Sequence, residues 1–207
     1  NPTRDFSMYL MRMDSPGVKM SQLSKIGNNM MHTYEVYMED VEVTPDDLVG
    51  KPGMGFIQLM KNYDVERLMS CVYNIGMARC AYDHAARHAA TRVQFGQTIG
   101  TFQLIQEKIT DMAIKIENMQ NMCYKALWKR MNGQPINIDA SLAKRYTGQA
   151  AFQVIDDAMQ VMGGIGYCDD CVVSRLWRDQ RVYRIMAGTE EIMVHTAGRA
   201  LIKAAGK

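Results

Sequence analysis

The most regular pattern of apolar positions in the chain runs through residues 105–126. The apolar side chains there are separated alternately by four and three residues, which places them on one face of an α-helix. They are Ile105, Ile109, Met112, Ile116, Met119, Cys123 and Ala126. The pattern stops at Asn132-Gly133, with Pro135 beyond, and such residues are typical of a helix end. The sequence therefore predicts a long amphipathic helix that buries this face.

Four further segments show a helical period. They run from about Phe56 to Thr91, from near Asp139 to Gly163, from about Val172 to Ile185, and from Thr189 to near Gly206. Thr189 is a favourable N-cap, and the acidic residues Glu190 and Glu191 suit the first turn of the helix that follows it. Long helices with continuous apolar faces and short connections are typical of an antiparallel bundle.

Residues 1–52 have a different pattern, in which apolar and polar side chains partly alternate. The alternation is clearest in residues 6–10, 33–38 and 41–43. A period of two is typical of β-strands, and about three to five short strands form only a thin sheet. We therefore expect a mainly α fold, in which part of a β-domain (residues 1–52) precedes an antiparallel four-helix bundle (residues 53–207).

The composition disfavours several classes of protein. The chain has 207 residues and a net charge of +2, with no run of five like charges, so we expect no nucleic-acid partner. No apolar stretch approaches the ~18 residues that a transmembrane helix requires, so we expect no membrane partner. The 19 methionines indicate a soft, repackable core.

The cysteines indicate a reducing compartment. An odd number of them, five, in a largely helical chain is typical of a reduced, cytoplasmic protein. Cys168 and Cys171 form an isolated CxxC pair, whereas a zinc site needs about four ligands. A composite site with His84 and His88 is a weak alternative, and we expect no metal.

The first residues suggest an incomplete domain. The chain opens with Asn1-Pro2-Thr3, without an initiator Met or a signal peptide, and a strand-like run begins almost at once at Phe6. We interpret the sequence as a fragment of a longer protein.

Three motifs resemble those of the acyl-CoA dehydrogenase family. The segment from Arg92 to Gln103 is similar to the family's RxxFG…Q motif, and Gln160–Tyr167 is similar to its QxxGGxGY segment. Arg178-Asp179 followed by Ala187-Gly188-Thr189 resembles its RD…GT stretch. The resemblance covers essentially the whole chain and the last half of a complete member. Within the family, Arg92–Lys108 and Asp157–Gly166 are most similar to the crotonobetainyl-CoA reductases.

The resemblance implies a flavoenzyme with FAD as its cofactor and a carboxylate as its base. In many members that carboxylate is a Glu directly before the Gly-Thr pair, but here the position is Ala187, which cannot accept a proton. Another arrangement in the family places the Glu on the first helix of the C-terminal domain, in an LERL-like segment. Residues 63–68 match that segment, which implies that Glu66 is the catalytic residue.

The resemblance also implies sites for cofactor and substrate. The expected FAD-binding residues are Arg92, Gln94, Phe95, Phe102, Gln103, Gln160, Gly163, Gly164, Thr189 and Glu191. In the family, the segment that corresponds to Arg92 and its neighbours contacts FAD from a neighbouring subunit. The family often has Gln at the position of Glu191. A carboxylate at this position repels a phosphate of the cofactor. Asp64, Arg67 and Gly188 resemble acyl-CoA contacts, and the Gly188 N–H corresponds to a donor to the thioester carbonyl.

The implied function is that of an FAD-dependent acyl-CoA dehydrogenase or enoyl-CoA-type reductase. Its implied partners are an acyl-CoA, an electron-transferring flavoprotein and other copies of the chain, in a homo-oligomer that is a tetramer in the intact enzyme. We expect the fragment alone to be inactive. The alternative, favoured by Ala187 and Glu191, is a non-enzymatic helical oligomerisation module with degenerate FAD motifs. A Met-rich peptide-binding bundle is a third, weaker interpretation.

Overall fold

Three long α-helices form the main part of the fold. The computed structural model describes residues 4–206, and the ends of the two expected domains, residues 1–3 and Lys207, lie outside the described residues. The helices are α1 (Gly55–Thr91), α2 (Gln103–Met131), α3 (Asn137–Met162), α4 (Gly164–Tyr167), α5 (Val172–Gln180) and α6 (Glu190–Ala205). Short 3-10 helices cover Pro45–Asp47, Ile99–Thr101 and Arg181–Arg184. The expected mainly α fold is confirmed, although the helix expected over 172–185 continues as a 3-10 helix after Gln180.

Each of the first three helices runs antiparallel to the next, so α1 and α3 run in the same direction. In the first half of α1, Leu68 belongs to the same buried cluster as Ala126, near the end of α2. One turn further along α1, Cys71 packs with Cys123. Near the end of α1, Ala89 joins a larger cluster that includes residues near the end of α3. Since α6 also packs on α3, the antiparallel four-helix bundle that the apolar pattern predicts is confirmed.

The helix ends follow from local chemistry. Asn132 is the C-cap of α2 and is followed by Gly133 at a φ of +69°, and α3 ends at Gly163 with a φ of +62°. A positive φ of this size strains residues with a Cβ, which is why glycine occupies these ends. The Thr189 hydroxyl accepts a hydrogen bond from the Ile192 N–H and caps α6, as predicted.

The strands form short antiparallel pairs. β1 (Met8–Tyr9) pairs with β4 (Leu48–Val49), and β2 (Val18–Gln22) pairs with β3 (Tyr34–Met38), with Val18 opposite Met38. These pairs form the short β portion that precedes the helices. A third pair, β5 (Val93–Gln94) with β6 (Gln97–Thr98), forms a hairpin inside the connection between α1 and α2. The described residues divide into two compact units between Tyr63 and Asp64.

Residues 4–206 contain neither a candidate membrane-spanning helix nor a candidate metal centre. None of the helices there combines the length and the apolar character that crossing a bilayer requires. No group of three or more His, Cys, Asp or Glu side chains in this range is placed to hold a metal ion. All five cysteines are free thiols, with Cys71 and Cys123 buried and Cys168 exposed.

Candidate functional site

A five-residue loop, residues 185–189, connects the last 3-10 helix to α6 and carries the expected Gly188 contact. We call it the Gly188 loop. Ala187 and Gly188 both have left-handed backbone angles, with φ of +55° and +91°. Alanine is strained in this region and glycine is not, so the conformation depends on contacts that hold the loop in place. Neither the Ala187 N–H nor the Gly188 N–H has a hydrogen-bond acceptor within residues 4–206.

An ion pair closes the base of the Gly188 loop. Arg184 Nε lies 2.6 Å from Glu190 Oε1, and Arg184 Nη2 donates to Glu190 Oε2 at 3.1 Å. Gln149 of α3 donates to the same Oε2 at 2.9 Å, and the Phe152 ring packs against the guanidinium at 5.8 Å. Burial by itself raises the pKa of the Glu190 carboxyl, but the hydrogen bonds from Arg184 and Gln149 outweigh it and the pKa is lowered.

A buried lysine holds the same loop from inside the bundle. Lys144 of α3 is 0% exposed, and its Nζ donates to the Gly188 carbonyl. Burial lowers the pKa of Lys144, since it disfavours the charged ammonium, while the nearby negative charge of Glu190 acts in the opposite direction. Hydrogen bonds therefore hold the Gly188 loop in two places. The Arg184–Glu190 pair joins its two ends, and Lys144 binds the Gly188 carbonyl.

Two of the expected acyl-CoA contacts form a buried pair on α1. Arg67 is 7% exposed, and its Nη1 donates to Asp64 Oδ1 at 3.0 Å. Asn137 Nδ2, at the start of α3, donates to the same oxygen at 3.0 Å. Arg67 Nε is buried without a hydrogen-bond partner in the described part of the chain. The positive charge of Arg67 also lowers the pKa of Lys144, so this pair is electrostatically coupled to the lysine that binds the Gly188 loop.

The expected catalytic residue, Glu66, lies between Asp64 and Arg67 in sequence and has a different environment. Its side chain is exposed, and within residues 4–206 its carboxylate has no hydrogen bond or ion pair. A helical Glu is commonly paired with a nearby Lys or Arg, but here Arg67 is bound to Asp64 instead. Glu66 is therefore a carboxylate that is available to a ligand.

The expected FAD residues of the Arg92 segment surround the β5–β6 hairpin. Phe95 and Gly96 form its turn, with φ of +52° and +79°. The Phe95 side chain is 91% exposed, and its ring meets the half-buried Phe102 edge-on at 6.2 Å. Arg92, Gln94 and Gln103 are also exposed. The Phe95 ring, the Arg92 cation and the amides of Gln94 and Gln103 are therefore all accessible from solvent.

The expected glycine-rich contact lies at the same end of the bundle. Ile99 and Ile105 pack against the same cluster as Met159 and Met162, because α2 and α3 are antiparallel. Gln160, Gly163 and Gly164 are exposed. A Cβ built on Gly163 or Gly164 meets no atom within 4 Å, so a ligand has access to the backbone there.

The remaining expected FAD residues, Thr189 and Glu191, lie at the Gly188 loop instead. The pKa of Glu191 is lowered by hydrogen bonds from its own backbone N–H and from Thr189, so its carboxylate is fixed at the start of α6. Lys144 and Gln160 are 16 residues apart on α3, which corresponds to about 24 Å along the helix. Within one chain, the expected FAD residues therefore form two separate groups.

Sequence reasoning missed the residues that hold the Gly188 loop: Lys144, Gln149, Arg184 and Glu190. Lys144 directly follows Ala143, which is buried on α3, but successive residues of a helix point about 100° apart, so this neighbour does not indicate that Lys144 is buried. Nothing in the sequence identified the Gly188 carbonyl as the partner of Lys144.

The comparisons with known proteins agree on one family. Residues 53–202 match the family model "Acyl-CoA dehydrogenase, C-terminal domain". The chain is 47% identical, over 98% of its length, to the probable acyl-CoA dehydrogenase YdiO of Escherichia coli (strain K12), and covers 53% of that protein.

Solved structures show the same likeness. Butyryl-CoA dehydrogenase from Megasphaera elsdenii superimposes with a TM-score of 0.92 at 32% identity, over 97% of this chain and 52% of that one. A chain from a structure of the electron transferring flavoprotein of Acidaminococcus fermentans gives a TM-score of 0.91 at 32% identity, over 95% of this chain and 52% of that one. The chain spans about half the length of the curated relatives it matches.

Proposed function

The chain belongs to the acyl-CoA dehydrogenase family, and we propose that it is the C-terminal half of an FAD-dependent enzyme that catalyses α,β-dehydrogenation of an acyl-CoA thioester or the reverse reaction. The observation that carries this proposal is the state of Glu66. It is an exposed carboxylate without a partner within residues 4–206, beside the buried Asp64–Arg67 pair. The position where many members carry their base is Ala187, which leaves Glu66 as the candidate for proton transfer.

Each residue near the Gly188 loop has a distinct role in this proposal. Glu66 removes the α-proton of the thioester, and a carboxylate that no cation neutralises is suited to that task. The unpaired Gly188 N–H donates to the thioester carbonyl and stabilises the negative charge that develops on its oxygen. Asp64 and Arg67 contact the acyl-CoA and fix its position relative to Glu66.

The exposed residues at the other end of the bundle fit FAD. The open space above Gly163 and Gly164 admits a flat or extended group close to the backbone. The Arg92 guanidinium suits a pyrophosphate, the side-chain amides of Gln94, Gln103 and Gln160 suit polar edges and hydroxyls, and Phe95 and Phe102 offer apolar surface. When bound, FAD supplies the acceptor for the hydride that leaves the β-carbon, or its donor in the reverse direction.

The separation of the two groups of residues supports a homo-oligomer. Lys144, which binds the Gly188 loop beside Thr189, lies about 24 Å along α3 from Gln160, which is farther than a single side chain extends. We propose that the Arg92 and Gln160 segments of one subunit complete the site that contains Glu66 in another, within a tetramer.

The direction of the reaction and the electron partner are finer parts of the proposal. The similarity of Arg92–Lys108 and Asp157–Gly166 to crotonobetainyl-CoA reductases favours reduction of an enoyl-CoA such as crotonobetainyl-CoA, in which Glu66 delivers the α-proton. The partner that we propose is an electron-transferring flavoprotein. The five free thiols support the cytoplasm as the compartment.

The test uses the full-length protein, purified and exposed to a panel of acyl-CoA and enoyl-CoA thioesters. We expect a yellow protein whose flavin absorbance near 450 nm changes on addition of one of these thioesters. A full-length protein that is colourless and does not bind added FAD would instead support the non-enzymatic oligomerisation module, which Ala187 and Glu191 favour.

A further inference from the structure

Lys144 is the charged residue whose position the proposed chemistry leaves unexplained. It is fully buried on α3, among residues of α1, α3 and α6. Burying an ammonium group is unfavourable unless the group is paired and hydrogen-bonded. The hydrogen bond of its Nζ with the Gly188 carbonyl is therefore a specific feature of the site.

The charges around Lys144 come from two other helices. Glu190 and Glu191, at the start of α6, favour its ammonium form, whereas Arg67 of α1 disfavours it. The Cys71 thiol of α1 also faces it, and burial raises the pKa of this thiol to about 12, so it stays neutral. Glu190 is shared with Arg184, so the ammonium has no carboxylate of its own.

Gly188 needs an external restraint because of its own backbone. With a φ of +91° and no Cβ, glycine has access to many more conformations than any other residue. Ala187 before it is also left-handed. The bond from Lys144 fixes the carbonyl of Gly188, which limits the rotation of this residue and with it the direction of its unpaired N–H.

We propose that Lys144 is a positioning residue, which acts through the Gly188 carbonyl to hold the unpaired N–H groups of Ala187 and Gly188 toward the carbonyl oxygen of a bound thioester. This inference rests on the proposed function, because it assumes that a thioester binds beside the Gly188 loop. Lys144 itself does not touch the substrate. Its contribution is to keep a mobile donor in one orientation, so that the donor is in place before the reaction begins.

The experiment compares Lys144→Met with the unchanged full-length protein. Methionine has a similar length and volume but neither charge nor N–H donor. Lys203→Met is the matched control, because Lys203 is exposed on α6. Two quantities are measured with the thioester that the panel identifies: kcat and KM, and the infrared carbonyl stretch of that thioester, 13C-labelled at the carbonyl, in its bound state.

We expect Lys144→Met to lower kcat by about 10²-fold with a much smaller change in KM, because misplacing a catalytic donor by ~1 Å costs about this much. The bound carbonyl stretch should move back toward its value in water, since the hydrogen bond that lowers its frequency is lost. Lys203→Met should leave both quantities unchanged. A loss of stability alone would not move the carbonyl stretch of the folded, ligand-bound enzyme.

The outcomes separate this proposal from the proposed function. If the unchanged protein neither binds nor converts any thioester, the proposed function is wrong. If it does, and folded Lys144→Met keeps its kcat and carbonyl frequency, only the role of Lys144 is wrong. Should Lys144→Met fail to fold, Lys144→Leu is compared in the same way. Leucine also lacks a donor, so a folded variant with unchanged kcat and carbonyl frequency would overturn the proposal.

Discussion

Arg184 and Glu190 join the two ends of the Gly188 loop through a pair of hydrogen bonds of 2.6 and 3.1 Å. Only five residues lie between them, and two of these, Ala187 and Gly188, have left-handed backbone angles. The Glu190 side chain is 7% exposed, so water screens this ion pair weakly. The pair stabilises the folded protein, because Glu190 at the start of α6 is bound both to Arg184 and to Gln149 of α3.

Replacing Glu190 by Gln should destabilise the protein in a pH-dependent way. The pKa of Glu190 is lowered in the folded protein from an ordinary value of 4.5, so its stabilising effect is present above that value and is lost as pH falls through the folded pKa. At neutral pH we expect a cost of about 1–3 kcal/mol. The midpoints of thermal unfolding of Glu190→Gln and the unchanged protein should converge as the pH falls below 4.5.

The exposed Glu117 of α2 provides the control for that comparison. Glu117→Gln should unfold at the same temperature as the unchanged protein at both neutral and acidic pH. If Glu190→Gln were as stable as the unchanged protein at neutral pH, the ion pair would have no role in holding the loop.

Moving the carboxylate from Glu66 to Ala187 tests whether both positions serve one site. Glu66→Gln should lower turnover of the full-length enzyme by at least ~10²-fold, a usual effect of losing a general acid or base, while FAD stays bound. Adding Ala187→Glu should restore part of the activity. Ala187 already has a φ of +55°, so a Glu there adds no new backbone conformation. Stopped-flow measurement of the flavin absorbance checks both variants.

The two single variants, Glu66→Gln and Ala187→Glu, test the two positions separately. Near-normal turnover by Glu66→Gln would contradict the assignment of Glu66 as the base. The single variant Ala187→Glu shows whether a carboxylate in the Gly188 loop disturbs the enzyme by itself, and its FAD content should equal that of the unchanged protein.

The helices could be predicted from the sequence because their determinants are local. The apolar faces repeat within each helix, and the ends carry their own signals, such as Thr189 for α6 and Gly133 after α2. The β5–β6 hairpin could not be predicted in the same way. Its strands have two residues each, and its turn uses Phe95-Gly96 where Asn-Gly is the usual signal.

The residues of the candidate site also differ in whether neighbouring residues in the sequence reveal their role. Glu66, Arg92 and Gly163 lie in motifs that can be recognised from neighbouring residues. Lys144 binds a carbonyl 44 residues away, so its role depends on how α3 packs against the Gly188 loop. A Lys in a helix is ordinarily exposed, and its burial is visible only when the tertiary structure is known.

Replacing Glu191 by Gln should strengthen FAD binding. The carboxylate is fixed at the start of α6 by Thr189 and by its own N–H, so it presents a negative charge to any phosphate bound there. Because water and salt screen an exposed charge, we expect only about two- to fivefold tighter binding, with a smaller difference at high salt. Titration of the apoprotein with FAD, followed by flavin fluorescence, measures this. Weaker binding by Glu191→Gln would show that the carboxylate accepts a hydrogen bond from the cofactor.

The 207-residue chain alone should be colourless and self-associated. Its helices bury one another, but α2 also exposes Tyr124, Trp128 and Met131 at helical spacing, and such a face favours association. Because the chain spans about half of its relatives, we expect it to lack contacts that FAD requires, and each loss of ~1.4 kcal/mol lowers affinity tenfold. Light scattering and the absorbance spectrum test this. Stoichiometric FAD in the purified chain would contradict it.

Mixing two inactive variants of the full-length enzyme should restore activity. Arg92→Ala removes the cation of the FAD segment, and Glu66→Gln removes the base. If each site combines Glu66 of one subunit with Arg92 of another, a mixed oligomer contains some sites in which both residues are intact. Co-expression of the two variants should therefore yield measurable turnover and bound FAD. Arg87→Ala, which changes an exposed cation on α1, serves as the matched control and should be active by itself. If Glu66 and Arg92 of the same subunit served one site, every site in the mixture would carry one defect, and no activity would return. That result would contradict the proposal that the separation of about 24 Å along α3 is bridged by a second subunit.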